Sequence, residues 1–381
     1  MYLIKLKSFF FSKSKSFDLT TNSSVQGKVY FPGLNGLRAI AAVSVIISHT
    51  FQERHNFELP RHGALSVGSY SVTAFFTLSG FLITYLLLKE KDNCNNINIK
   101  EFYLRRIFRI WPLYYFYIIV TLLLTTIIFG YTDAHISSFW LYIFFIPNIA
   151  FNLNIYPSFL GHLWSIGIEE QFYAIWPHFV GKTTSFKRGI VLFIVLFIIL
   201  KLGIKVMSIY FNNQILFSII ASMGFDCMAI GALFAIIHKE GYVFKNFFLL
   251  AGQLLFWVLF ITSFFTKLPF FSIYGGEVFS ILTGFFILGQ LDIKKSLISL
   301  ERPLLNFLGK ISFGLYVYHP LAIFLFQYIL FDILHYKMPN TLVLVLGVLT
   351  LTIAVSFFSY KYIESYFLQI NESRNAQSLI T

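Results

Sequence analysis

Apolar residues run along this chain in long blocks separated by short polar loops. The blocks centre on 37–51, 71–88, 107–129, 139–151, 166–181, 189–210, 215–237, 247–266, 273–290, 306–331 and 340–360. Each is at or near the roughly 20 residues that a helical membrane crossing needs. Barrel strands would instead alternate in polarity over about ten residues, so the pattern predicts helices. The expected fold class is all-α: a polytopic integral membrane bundle built from these eleven candidate segments.

Basic residues decide how many of the segments cross. Lys5, Lys7, Lys13, Lys15 and Lys28 precede the first block, and Lys89, Lys91, Lys100, Arg105 and Arg106 flank the loop two crossings later. Both groups fall on one side, which the positive-inside rule makes cytoplasmic. If 139–151 and 166–181 each crossed, Lys182, Lys187, Arg188, Lys239, Lys245, Lys294, Lys295 and Arg302 would all lie outside. Reading 139–181 as one interrupted or re-entrant passage returns them to the cytoplasm. Mainly Arg54, Arg61, Lys267 and Lys337 then remain in external loops. Ten crossings result, with both termini cytoplasmic. Pro147, Pro157 and Gly161 supply the break, and Asn148, Asn152 and Asn154 supply polarity. Irregular backbone at membrane depth needs protein or a water-filled cavity around it, so this passage is expected to line a cavity. Lys201 and Lys205 fit less simply, either snorkelling outward or facing the same cavity. The chain divides into a basic leader over 1–35, a transmembrane domain over 36–368 and a cytoplasmic tail over 369–381. No cleavable signal peptide, internal repeat or appended soluble domain is evident, and the tail is too short to fold alone.

Composition sharpens the class. Hydrophobic residues make up 57% of the 381 positions and charged residues 12%, about half the charged share of a soluble domain. The net charge of +12 is therefore read as loop charge that orients a bundle, and no nucleic-acid partner is expected. The two cysteines, Cys94 in a polar loop and Cys227 in an apolar block, support neither a disulfide framework nor a zinc site; no metal is expected.

A few polar residues inside the blocks carry candidate chemistry. Arg38 and His49 are eleven residues apart, about 1,100° of helical rotation, so they share a face across roughly 16 Å of rise. Spacing alone leaves a second reading, with Arg38 as an inside anchor and His49 as a polar cap. Arg106 and Arg109, three apart, are neighbours on one helical face and suit a multiply charged phosphate; the alternative is again an anchor. Glu169 and Glu170 lie within an apolar block, where a carboxylate is costly unless paired, hydrated or neutral. Being adjacent, they cannot both point the same way. Asp226 and His319 are further intramembrane polar groups, each equally compatible with a packing hydrogen bond and with a site.

Taken together, several segments resemble the acyltransferase 3 family of membrane proteins. They are Arg38 with His49, Phe75-Phe-Thr-Leu-Ser79-Gly80-Phe-Leu-Ile83, Arg106/Arg109 before Trp111-Pro112, and His162-Leu-Trp-Ser through Glu169-Glu170-Gln-Phe-Tyr173. Gly309 to Tyr316, His319-Pro320 and Tyr362-Ile363-Glu364 complete the set, which spans about residues 30 to 368 in the expected order. Thr73, Phe225 and Tyr366 depart from residues frequent in the family at or near those positions. The resemblance implies about ten transmembrane helices, a cytoplasmic acyl-CoA donor, usually acetyl-CoA, and O-acylation of an envelope polysaccharide, lipid-linked saccharide or related glycan. It also implies that Arg38, His49, Arg106 and Arg109 are required. Arg106, Arg109 and Arg38 are expected to hold the CoA phosphates, and His49 to act as general base or transient acyl acceptor, with Glu169 or Glu170 orienting it or binding acceptor hydroxyls. Ser79, His162 and His319 are the candidate substrate contacts. The expected location is the cytoplasmic membrane of a bacterium. Without a fused extracytoplasmic hydrolase-like domain, transfer either finishes in the membrane or passes to a partner of envelope biosynthesis. Two other classes compete: a secondary transporter or flippase, which predicts symmetric halves that are not seen, and an inactive scaffold, which leaves Arg38, His49 and Glu169 unexplained.

Overall fold

The computed structural model describes residues 11–13, 29–57, 59, 65–129, 136–182, 186–266, 274–336 and 340–377. Most of the leader, and Arg61, Lys267 and Lys337, therefore lie outside the described residues. The first three helices are α1 (Leu34–Gln52), α2 (Val67–Cys94) and α3 (Ile99–Phe129). An interrupted passage follows as α4 (Phe139–Ile143), α5 (Pro147–Asn152) and α6 (Trp164–Lys182). Next come α7 (Phe186–Tyr210), α8 (Ile215–Ser222), α9 (Phe225–Lys239), α10 (Asn246–Thr262) and α11 (Gly275–Leu291). The chain continues through α12 (Pro303–Lys310), α13 (Ser312–Tyr328), α14 (Thr341–Ser359) and α15 (Ser365–Gln377).

Among the described residues, seven helical segments are long and apolar enough to cross a membrane, and α10 and α11 are shorter apolar helices. With the interrupted passage these make the ten passages expected of the bundle. Helix α7 shows why the apolar blocks are so complete: Leu192, Leu196, Ile199 and Leu200 face outward, where lipid rather than water must be met.

Four details go beyond the pattern of apolar blocks. The block 215–237 is two helices, broken before α9 by Gly224 at φ 58°, where a Cβ would meet the Phe76 ring at 2.5 Å. The block 306–331 is likewise divided at Ile311 into α12 and α13. The start of the tail packs on the bundle: α14 runs through a π-helical turn, Tyr360–Glu364, into α15, and Arg374 there binds Glu101 of α3 through two hydrogen bonds of 2.8 and 2.7 Å. A short strand β1 (Phe11–Lys13) pairs antiparallel with β2 (Tyr242–Phe244).

The interruption sits where the prolines placed it, and α3 makes it tolerable. Phe145, Asn154 and Phe159 all have positive φ, so carbonyls in this stretch lose helical partners. Tyr114 donates to the Tyr142 carbonyl at 3.0 Å, Tyr115 to Ile143 at 2.8 Å and Tyr117 to Phe159 at 2.9 Å. Gln171 adds bonds to the Phe145 carbonyl and to Asn148 Oδ1, both 2.8 Å. The broken backbone is thus partnered by side chains of α3 and α6, and the cavity described below is lined by α6 rather than by the break.

Lys201 neither snorkels nor joins that cavity. Its ammonium donates to Asp226 at 2.5 Å and to Glu277 at 2.9 Å, tying α7, α9 and α11 in the interior. Asp226 stands in the first turn of α9, where the helix dipole also favours negative charge.

The closest helix pairing is α2 against α9. A Cβ on Gly80 would fall 1.9 Å from the Met228 carbonyl oxygen, and one on Gly231 would fall 2.0 Å from that of Thr77. Each glycine therefore admits the other helix's backbone, as small residues do at membrane helix crossings. At the start of α1, Glu301 accepts from the Gly33 N–H at 2.6 Å and from Tyr30 at 2.5 Å, with Asn306 as a third donor. Although burial opposes it, these bonds hold the Glu301 carboxyl below its ordinary value. They fix the helix that carries Arg38. Replacing Gly80 by Val is expected to cost roughly 3 kcal/mol by overpacking, read as a lower unfolding temperature in detergent. Gly203→Ala, where the added methyl meets nothing within 4 Å, is the control and is expected to leave that temperature unchanged or slightly higher.

Candidate active site

Helices α1, α2, α3, α6 and α13 enclose a cavity of about 110 Å³. Arg38 enters from α1, Ser79 from α2, Arg106 and Arg109 from α3, Ser165, Glu169 and Tyr173 from α6, and Tyr316 from α13. The three expected arginines therefore converge although they come from two helices. Other guanidiniums near this end of α3 are matched by carboxylates: Arg105 by Glu90 at 3.1 Å, and Arg374 by Glu101 at 2.7 Å. Among the described residues, none of Arg38, Arg106 and Arg109 forms such an ion pair. Arg38 has a 3.4 Å hydrogen bond to Asn35, one turn earlier. Arg106 lies over the rings of Phe102 and Tyr173, 5.7 and 5.6 Å from their centroids, with its Nε buried and unbonded. Stacking on aromatic faces holds a guanidinium without using up its donors.

The two adjacent carboxylates separate as helix geometry requires. Glu169 faces the cavity, accepting from Ser79 at 2.9 Å and from Tyr173, one turn on, at 3.2 Å. Glu170 turns towards α3 and accepts from the Trp111 indole at 2.9 Å, its other oxygen buried and without a partner. Ser79 thus both lines the cavity and positions a carboxylate.

A cluster of three imidazoles lies beyond Tyr316. His49 Nδ1 is 2.6 Å from His319 Nε2, and His319 Nδ1 is 2.6 Å from the Tyr316 carbonyl. His162 stands edge-on to His319, ring centroids 5.0 Å apart, and its Nε2–H donates to the Val317 carbonyl at 3.0 Å. His162 and His319 are buried, whereas His49 is half-buried. His162 and His319, the candidate substrate contacts, are both buried, His319 against His49 and His162 edge-on to His319. The Tyr316 hydroxyl donates to the His162 carbonyl at 2.9 Å and so accepts from Ser165 at 2.6 Å. Tyr316 therefore belongs to the cavity wall through its side chain and to the imidazole cluster through its backbone.

Sequence reasoning assigned no role to Tyr173, Tyr316 or Trp111. A signal was available for the first two: Tyr173 is one turn from Glu169, and Tyr316 one turn from His319. Trp111 offers no comparable local clue, because its partner is fixed only by how α3 meets α6. What the site can do chemically follows from its two ends. The cavity end holds three arginines with no salt bridge among the described residues, beside the Glu169 carboxylate, and suits a polyanion; the imidazole cluster beyond Tyr316 suits proton transfer.

The chain is similar to known proteins over most of its length. It is 30% identical over 362 residues to a Staphylococcus aureus (strain COL) protein assigned provisionally as an O-acetyltransferase, covering 89% of this chain and 57% of that one. It therefore spans little more than half the length of that curated relative. It is also 35% identical over 164 residues to the peptidoglycan O-acetyltransferase OatA of Listeria monocytogenes, covering 40% of this chain and 24% of that protein. No solved structure is significantly similar to it. Over residues 31–360 the chain matches the Acyl_transf_3 acyltransferase domain, and it belongs to that family.

Proposed function

We propose that this protein is a membrane O-acyltransferase that moves an acyl group, acetyl in the first instance, from cytoplasmic acyl-CoA to a hydroxyl of an envelope glycan. The observation that carries the reading is the convergence of Arg38, Arg106 and Arg109, unpaired, on one cavity, with an imidazole on the same helix as Arg38. Unpaired charge at membrane depth is costly and is kept where a ligand answers it. The CoA phosphates supply such an anion, and guanidiniums bind phosphate oxygens bidentately while staying ionised. The basic residues around the start of α3 support a cytoplasmic mouth, and in that orientation His49 lies towards the outer face.

In this reading the arginines hold the phosphates, and the pantetheine arm extends along α1 to bring its thioester to His49. His49 accepts the proton of the acceptor hydroxyl as that oxygen attacks the thioester carbonyl. The C–S bond breaks, an ester forms, and His49 returns the proton to the departing thiolate. Donor and acceptor approach from opposite ends and meet directly, so orientation supplies much of the rate. Glu169 offers acceptor oxygens to the donor's amide and hydroxyl groups. The names of the relatives support acetyl as the group and peptidoglycan as one member of the acceptor class. The chain is proposed to lie in a bacterial cytoplasmic membrane with both termini inside, and to work with a separate envelope protein where the acyl group is handed onward.

Purified protein given acetyl-CoA and acceptor is expected to release free CoA thiol, which a transporter or flippase would not do. Replacing His49 by Ala should lower that release by about 10²-fold or more. An unchanged rate in a folded His49→Ala protein would remove the base role. Arg106→Ala and Arg109→Ala are each expected to raise the KM for acetyl-CoA roughly tenfold to a hundredfold, as loss of a charge-assisted contact requires, with a smaller change in kcat. Mass spectrometry of envelope glycans from cells with and without the gene should show one acetyl mass gained on a defined sugar.

A further inference from the structure

We infer that His319 is the positioning residue for His49, setting through the Tyr316 carbonyl which nitrogen of the His49 ring is free to take a proton. The inference rests on the acyltransfer reading for its consequence, but its geometry stands apart from that reading. A backbone carbonyl only accepts hydrogen bonds. The 2.6 Å contact between His319 Nδ1 and the Tyr316 carbonyl therefore requires a proton on Nδ1. In the neutral ring, Nε2 is then the bare nitrogen and can only accept. Its partner at 2.6 Å is His49 Nδ1, which must in turn carry a proton and donate. Neutral His49 has one ring proton, so its Nε2 is left with the lone pair. One carbonyl on α13, a wholly buried imidazole and a half-buried one thus form a directed chain that ends on a base.

The tyrosine that starts this chain is itself fixed. Its hydroxyl is held by Ser165 and by the His162 carbonyl, so the carbonyl that orients His319 is anchored from the cavity side. The chain also gives an incoming proton a second location. When Nε2 of His49 takes the hydroxyl proton, the proton on Nδ1 can move across the 2.6 Å contact to His319 Nε2. The positive charge is then shared by two rings, and the reverse movement restores the starting state when the thiolate leaves. Protons balance, and neither ring needs an outside donor. No carboxylate contacts either imidazole among the described residues; this is a histidine–histidine–carbonyl arrangement in place of a carboxylate-oriented one.

The test is the tautomer itself. Protein labelled with ¹⁵N-histidine, in detergent at neutral pH, is examined by nitrogen NMR, with the His49 signals assigned from their loss in His49→Gln. The expected result is His49 protonated on Nδ1 and bare on Nε2 in the wild type, shifting towards protonation on Nε2 in His319→Ala. His319→Gln, whose amide oxygen can replace the acceptor at Nε2, is expected to restore the wild-type pattern in part. In the same variants kcat should fall at least tenfold for His319→Ala and recover partly in His319→Gln, with the KM for acetyl-CoA unchanged. A wild-type His49 protonated on Nε2, or a tautomer that His319→Ala leaves unaltered in a protein of normal melting temperature, overturns the inference. The base reading fails separately, through an active His49→Ala protein, whatever the spectrum shows.

Discussion

Charge inside a membrane bundle has to be answered, and the way each charge is answered organises this molecule. Lys201 has Asp226 and Glu277 within 2.9 Å, and the result is a joint between three helices. Arg105 and Arg374 have their own carboxylates and hold the ends of α3 and α15. Arg38, Arg106 and Arg109 have no such partner among the described residues, and they are the ones that share a cavity. Structural charges are closed by ion pairs, whereas these three share their cavity with the Glu169 carboxylate and form no salt bridge there. Buried pairs of the first kind contribute less stability than their Coulomb attraction suggests, because both ions lose water. Their value in a bundle is placement: without Asp226 and Glu277, Lys201 would have no tenable position.

Helix α3 links this logic to the backbone. One end presents Arg106 and Arg109 to the cavity, and about two turns further on Tyr114, Tyr115 and Tyr117 cap the carbonyls of the broken passage. That passage then turns into α6, which returns Ser165, Glu169 and Tyr173 to the same cavity. The break lets the chain re-enter the bundle at the depth and angle that bring these residues opposite the arginines. Tyrosine hydroxyls satisfy three carbonyls of the irregular stretch, which is how polar backbone is accommodated there.

Much of this was legible in the sequence because the bilayer imposes simple rules. Block length gave the helices, basic loops gave the folding of 139–181 into one passage, and rotation by 100° per residue put Arg38 and His49 on one face of an unbroken α1. Pro147 and Gly161 marked the break. What was hidden has physical reasons too. Gly224 and Ile311 divide helices inside blocks whose hydropathy is continuous, since a left-handed or irregular residue leaves no trace in polarity. The partners of Lys201 are 25 and 76 residues away, and only packing of α7 on α9 and α11 brings them together. His319 is legible in the sequence only as a polar intramembrane group. Its position behind His49 depends on α13 lying against α1, a tertiary fact with no local pattern.

Under the proposed acyl transfer, the unbroken course of α1 has a consequence for selectivity. Anchor and base would then be borne by one rod, so the distance between them would be fixed by the helical repeat and could not adapt to the bound molecule. The rod works as a length gauge. A carrier whose thioester sits too near its phosphates would be gripped yet never reach the imidazole, and one with too long an arm would overshoot. Discrimination among carriers then needs no group that recognises sulfur, and the acyl chain itself is left to be judged by whatever space lies past the imidazole.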